Sequence, residues 1–325
     1  MSLQSSQMWK YGIVLGLLSL LMVSSVQAQS NTNLVKIRVA GSDTINAATP
    51  MFAAHRLGYF KENGIELVYI TMAGGASAMS AAMKAKEVDI ALGAASQYMT
   101  DIARGVVAGK LVGQFTDNNY LILGGNGITD PRQLKGKIFG ISSYNGGDQL
   151  YAQAVLAHFG IGPDDMTWLP VGTPASRLSA LISGRVDAME MPITSLPESA
   201  NNRILVGADD SPVSFVSSAI FARQDFLDSN KSQVRSFLKA IGKGSDWIRA
   251  NPAQAEVTCL DSGASLADCK TAVNVATTSK NPFTWSSNTG INGEGIKGMI
   301  PIVAAAVPKA KDMPLSEFID ISLTD

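Results

Sequence analysis

The strongest constraint on the fold is a repeated grammar. A short β-rich run is followed by a loop of glycine and small hydroxyl residues, then by a helical stretch. Residues 35–40 (VKIRVA) read as a strand, 50–63 as a helix closed by Gly64, 65–71 (IELVYIT) as a second strand and 76–86 as an alanine- and methionine-rich helix. Strand 88–92, helix 96–104 ended by Gly105, and strand 111–115 complete a first block. The pattern restarts with strand 120–123, a short helix at 130–134 opened by Asp-Pro, strand 137–141, helix 147–159 closed by Gly160, strand 167–171, helix 175–183 and strands 186–191 and 204–206. Residues 212–222 are extended and return to the first block. Beyond Gln224 the chain is mainly helical. Residues 231–250 carry Val234, Phe237, Leu238, Ile241, Trp247 and Ile248 at helical spacing, and Asn251-Pro252 opens the next helix. Residues 281–298 are rich in Gly, Asn and Ser and read as loops; a last helix is expected around 302–309. Such alternation predicts an α/β protein with two βαβ sheet domains.

The first residues carry a different message. Lys10 precedes an uncharged apolar run at 11–23 (YGIVLGLLSLLMV), and Val26-Gln27-Ala28 resembles a leader-peptidase site. The run is too short to span a bilayer, so residues 1–28 are expected to be a cleaved signal peptide and the mature chain to be periplasmic. No cysteine follows the run to accept a lipid, and no twin arginine precedes it. Cleavage leaves 297 residues with 25 basic and 27 acidic side chains. That length favours two lobes, and the balance offers no surplus to hold a nucleic acid. The two cysteines, Cys259 and Cys269, are close in sequence in an exported chain and are expected to form a disulfide.

In a parallel α/β sheet, ligands gather where strands end and helix N-termini point N–H groups outward. The loops at those places hold Ser42, Asp43, Thr44 and Asn46; Gly74, Gly75, Ala76 and Ser77; Gly93, Ala94 and Ala95; Ser142, Ser143, Tyr144, Gly146 and Gly147; Gly172 and Thr173; and Glu190. Arg177 lies one turn beyond Thr173 and faces either cleft or solvent. Any one such loop is an ordinary helix cap. Together they form a candidate ligand cleft, with Tyr144 as the stacking residue. Asp43, Asp148 and Glu190 would repel a compact polyanion.

Other chemistries lack their residues. There is no P-loop, dinucleotide fingerprint or G-x-S-x-G elbow. The only histidines, His55 and His158, sit in apolar helical contexts and read as structural, and no metal or other cofactor is expected. Met72, Met79, Met83 and Met99 read as core.

Five segments carry a family resemblance: H-R-L-G-Y-F-K-E-N-G-I from His55, A-K-E-V-D-I-A from Ala85, P-R-Q-L-K-G-K from Pro131, A-L-I-S-G-R-V-D-A from Ala180, and Trp247 to Pro252. In order and spacing the chain resembles the NMT1/THI5-like (sulfonate/taurine/nitrate-type) periplasmic binding proteins of ABC importers, with Lys86 where glycine is usual. The resemblance implies a bilobed type II periplasmic-binding-protein fold, with one lobe from 34–117 and 220–325, the other from 118–219, and a two-segment hinge. It implies a monomeric, non-enzymatic carrier. The carrier would close on a small organic acid, sulfonate or zwitterion and present it to a permease and ATPase complex. Two alternatives stay open. One is a pyrimidine-precursor synthase of the same fold, whose fungal branch consumes its own histidine and carries a histidine- and cysteine-rich motif where this chain reads GAASQYM. The other is the binding lobe of a TRAP-TAXI-type importer or sensor.

Overall fold

A computed structural model of the chain describes residues 34–41, 46–72 and 75–324; for Asn46, Gly75, Ala76 and Ser77 it describes the backbone alone. The expected signal peptide, and with it Ser42, Asp43, Thr44 and Gly74, lies outside the described residues. No helix among the described residues is long and apolar enough to cross a membrane.

The alternating runs become two five-stranded mixed sheets. The first has the order β2-β1-β3-β10-β4, built from β1 (Val35–Gly41), β2 (Ile65–Thr71), β3 (Ile90–Gly93), β4 (Gly109–Thr116) and β10 (Ser218–Arg223). The second has the order β7-β6-β8-β5-β9, built from β5 (Tyr120–Gly124), β6 (Ile138–Ile141), β7 (Thr167–Pro170), β8 (Ala188–Pro192) and β9 (Ile204–Val206). In each sheet three strands run parallel and a fourth, β10 or β5, is inserted antiparallel beside the third. The expected return of the chain is therefore seen: β10 pairs with β3 and β4.

The helices are α1 (Thr49–Arg56), α2 (Tyr59–Glu62), α3 (Gly75–Lys84), α4 (Ala95–Arg104), α5 (Gly147–Ala157), α6 (Pro174–Ile182), α7 (Gln224–Ala250), α8 (Pro252–Cys259), α9 (Leu266–Thr278), α10 (Gly293–Ala306) and α11 (Leu315–Phe318). The single helix expected over 50–63 is broken, because Gly58 adopts φ 79° and starts a new turn. α7 has a non-helical residue at Asn230, so its long C-terminal part begins where the apolar spacing of 231–250 begins. The region expected to be loops at 281–298 holds the start of α10. There the Asn292 side chain caps the helix by accepting from the Gly295 amide at 2.9 Å.

One face of the first sheet packs on α1, α2 and α7 through Ile37, Met51, Phe60 and Phe237. Its other face continues without a break into the second sheet: Tyr98, Phe221 and Met299 belong to the same apolar cluster as Phe139, Tyr151 and Phe215. A smaller cluster under α6, with Leu181, Met189 and Met191, covers the far face of the second sheet. Met79, Met83 and Met99 are buried in the core, as expected, and Met72 packs against it. His55 and His158 are exposed, which corrects their reading as packed residues: each falls at a helix end, where the chain turns outward.

Candidate functional site

The carboxyl ends of the parallel strands in the two sheets face a common cavity. β3 ends in Gly93 and leads through Ala94 into α4, which has no side-chain cap. Thr173 caps α6, its hydroxyl accepting from the Ser176 amide at 3.2 Å, and Pro174 fills the first helical position. These residues, with Tyr120, Met191 and Ser218, line a compartment of about 540 Å³. Asp268 at the start of α9 closes one side and accepts from Ser265 at 2.8 Å.

Four buried polar atoms in this region have no partner: Ser96 Oγ, Asn119 Oδ1, Glu190 Oε1 and Ser218 Oγ. Asn119 and Ser218 line the compartment. An unpaired buried polar atom costs about 1–3 kcal/mol, so a ligand that pairs Asn119 Oδ1 and Ser218 Oγ would be favoured there.

Beneath the cleft lies a buried charge cluster. Arg177 (3% exposed) places Nη2 2.6 Å from Glu190 Oε2 and Nη1 2.7 Å from the Gly172 carbonyl, with Asp148 at 3.7 Å. Its Nε and Nη2 also donate to the Glu190 carbonyl. Asp148 in turn accepts from the amide and hydroxyl of Ser142. One guanidinium thus holds the ends of β7 and β8 and the start of α5, with Asp148 fixing the end of β6. A Cβ at Gly146 would meet Asp148 Oδ1 at 2.6 Å, so this clamp requires glycine there. Burial raises the Glu190 carboxyl to about 8, against the opposing pull of Arg177, and Asp148 adds to the rise. Burial also raises the Tyr120 phenol, reinforced by Glu190 and Asp148.

The candidate residues therefore separate. Gly93, Ala94 and Thr173 line the compartment, and Ala95 lies buried behind Ala94. Ser142, Gly172, Arg177 and Glu190 form the supporting cluster. Arg177 faces neither open cleft nor solvent. Gly147 touches the first sheet's side, since a Cβ there would stand 2.8 Å from Ala94 Cβ and 3.1 Å from Ser96 Oγ. Ser143 and Tyr144 are exposed, and the Tyr144 hydroxyl donates to the Trp168 carbonyl at 3.3 Å. Sequence reasoning did not find Asn119, Tyr120, Ser218 or Asp268. The first three lie at strand starts, where the antiparallel strands of each sheet reverse the usual rule. Neither histidine lines the cavity. Among the described residues no group of three or more His, Cys, Asp or Glu could hold a metal.

A second compartment of about 620 Å³ opens beside the first and shares Ala47, Asn119 and Thr194 with it. One wall is α9, tied to α8 by the pair Cys259 and Cys269, whose Cα atoms are 5.6 Å apart.

Comparison with known proteins places this geometry. Among solved structures, the ligand-binding component of an ABC-type import system from Staphylococcus aureus aligns with a TM-score of 0.70 at 17% identity, covering 89% of this chain and 97% of that one. The aliphatic sulphonate-binding protein SsuA of Escherichia coli aligns at 0.69 and 16%, covering 88% and 92%. These likenesses establish the type II periplasmic-binding-protein fold. Among curated proteins, the 4-amino-5-hydroxymethyl-2-methylpyrimidine phosphate synthase THI12 of Saccharomyces cerevisiae is 29% identical over 232 residues, 65% of this chain. The chain spans 66% of that relative's length. Relatives in Candida albicans and Aspergillus parasiticus carry the same synthase name. The expectation of a non-enzymatic carrier is corrected by these matches: the curated relatives are named as enzymes, and the absence of known catalytic motifs did not exclude that class. A family model described as NMT1/THI5 like matches residues 46–255, and the chain belongs to that family.

Proposed function

We propose that the cleft between the two sheets captures a small organic molecule, with a pyrimidine-bearing compound as the first candidate. The observation that carries this is the compartment at the strand ends, bordered by the unpaired buried polar atoms of Asn119 and Ser218. The pyrimidine comes from the names of the curated relatives. In this reading residues 34–117 with 220–325 form one lobe and residues 118–219 the other, and the crossings at 116–119 and 213–217 act as the hinge. The crossings are coupled: Thr116 Oγ1 lies 2.9 Å from Ser217 Oγ, which donates to the Asp117 carbonyl. The Asp117 carboxylate accepts from Gln114, Asn281 and Asn292 at 2.7, 2.9 and 3.0 Å. Closure about this hinge would be a population shift driven by the ligand.

Two fates for the captured molecule are supported by different findings. Delivery to the permease and ATPase of an ABC importer, from the periplasm, is supported by the fold neighbours named as components of such systems. Conversion at the site is supported by the synthase relatives, which are closer in sequence than those neighbours. Mass spectrometry of the molecule that co-purifies with the protein tests capture. Incubation with precursors, followed by assay for the pyrimidine phosphate, separates the fates: its formation selects the synthase. Its absence, with uptake by membranes holding the cognate permease, selects the carrier.

A further inference from the structure

We propose that the second compartment is a subsite of its own, and that it receives an uncharged polar extension of the captured molecule bearing hydroxyl or amide groups. This rests on the reading of the cleft as a ligand site.

The compartment's walls divide by chemistry. Ala272, Val275 and Ala276 on α9 supply an apolar face. Trp285 adds its ring, its indole N–H already spent on the Ala47 carbonyl at 2.8 Å. Opposite lies a polar seam. Asn118 is committed there, its amide donating to the Ala208 carbonyl at 3.0 Å and the Tyr151 hydroxyl at 3.3 Å. Asn119 is not: its Oδ1 is buried and unpaired, at the border of both compartments. The charged lining residues are Lys280 and Asp209, one of each sign and both exposed. A charged group here would therefore find no buried counter-ion and would lose hydration. A hydroxyl or amide could answer Asn119 while its carbon frame rests on α9 and Trp285.

Size points the same way. Each compartment alone lies within the range of about 300–1,000 Å³ that holds a whole small ligand. A single six-membered ring is much smaller than either compartment and leaves room for an extension. The two compartments share Ala47, Asn119 and Thr194 in their linings, so a molecule that spans both would pass Asn119. Asn281, which lines the second compartment, also donates to Asp117, so an occupant there touches the crossing between the sheets.

Cytosine and cytidine form a matched pair, the same aminopyrimidine without and with a polyhydroxylated extension. They are titrated calorimetrically into the wild-type protein, Val275→Phe, which narrows the second compartment, and Ala175→Phe, which narrows the first. The expected result is cytidine binding at least about tenfold tighter than cytosine, about 1.4 kcal/mol. Val275→Phe should remove that advantage and leave cytosine binding unchanged, and Ala175→Phe should weaken both. Equal affinities for the two probes in the wild type, or equal weakening of both by Val275→Phe, overturns the subsite and leaves the cleft reading standing. Binding of neither probe up to about 10 mM overturns the pyrimidine as candidate together with the subsite argued on it, while capture itself is decided by the co-purification test. Circular dichroism and melting of each variant confirm that it is folded.

Discussion

Arg177 ties three elements together beneath the cleft, since it serves Gly172, Glu190 and Asp148 at once. Arg177→Met leaves Asp148 and the Glu190 carboxyl buried without the guanidinium that serves both. Denaturant unfolding should show a loss of about 3–5 kcal/mol, and adding Glu190→Gln should recover part of it. Glu190 also makes stability depend on pH. Its carboxyl holds a proton to about 8 in the folded chain but releases it near 4.5 when unfolded. The contribution is therefore full below about 4.5 and is lost as pH rises toward and through 8. Melting temperature should fall across that window, and Glu190→Gln should flatten the fall; an equal slope in the variant would show that Glu190 does not titrate there. Part of this cluster was legible in the sequence. Arg177, Ala180 and Leu181 are the buried residues of α6, a spacing of three and four that marks one helix face. What the spacing could not supply was the partner, because Glu190 and Asp148 arrive from other elements.

Among the elements, the strands were read most faithfully, because their apolar runs were short and bounded by glycines. The start of α10 was missed because Gly, Asn and Ser dominate there, and Pro301 sits inside it; only the Asn292 cap signalled a helix. In α7 the glycines at 242 and 244 look like weaknesses, since alanine is favoured in a helix by about 1 kcal/mol. The packing reverses that sign. A Cβ at Gly242 would stand 1.9 Å from the Ser287 carbonyl oxygen, and one at Gly244 would stand 2.1 Å from that of Pro50. Gly242→Ala and Gly244→Ala should each destabilise by about 1–3 kcal/mol in urea unfolding, with a gain in stability counting against this packing. The α8–α9 pair makes a further prediction. Protein recovered from an oxidising compartment should show no reactive thiol when denatured and two after reduction. Cys259→Ser with Cys269→Ser should lose about 2–3 kcal/mol, the chain-entropy value for so short a loop.

At the scale of the molecule, the two sheets share an apolar core on one side and a cavity on the other. The shared core, with Tyr98 and Phe221 stacked at 4.8 Å and Tyr151 against Phe215 at 5.1 Å, resists separation. Motion is therefore expected on the cavity side, where Gly147 meets Ala94. Gly147→Ala suits the start of α5 locally but collides across the gap. The added methyl disfavours the approach of Gly147 to Ala94 and should weaken binding of a ligand that draws the two together. Small-angle scattering should show the wild type contracting on ligand addition and the variant contracting less; identical contraction would place the moving contact elsewhere.

The wall of the second compartment has a consequence for redesign. The family match ends at residue 255, and α9 begins at Leu266. The hairpin joining α8 to α9 brings Cys259 and Cys269 together and contributes no strand to either sheet. Val275 and Thr278 line the compartment and could be varied to retarget it, with Trp285 as the built-in optical reporter, while Ala272, Val273 and Ala276 are kept for the core and Asn281 for Asp117.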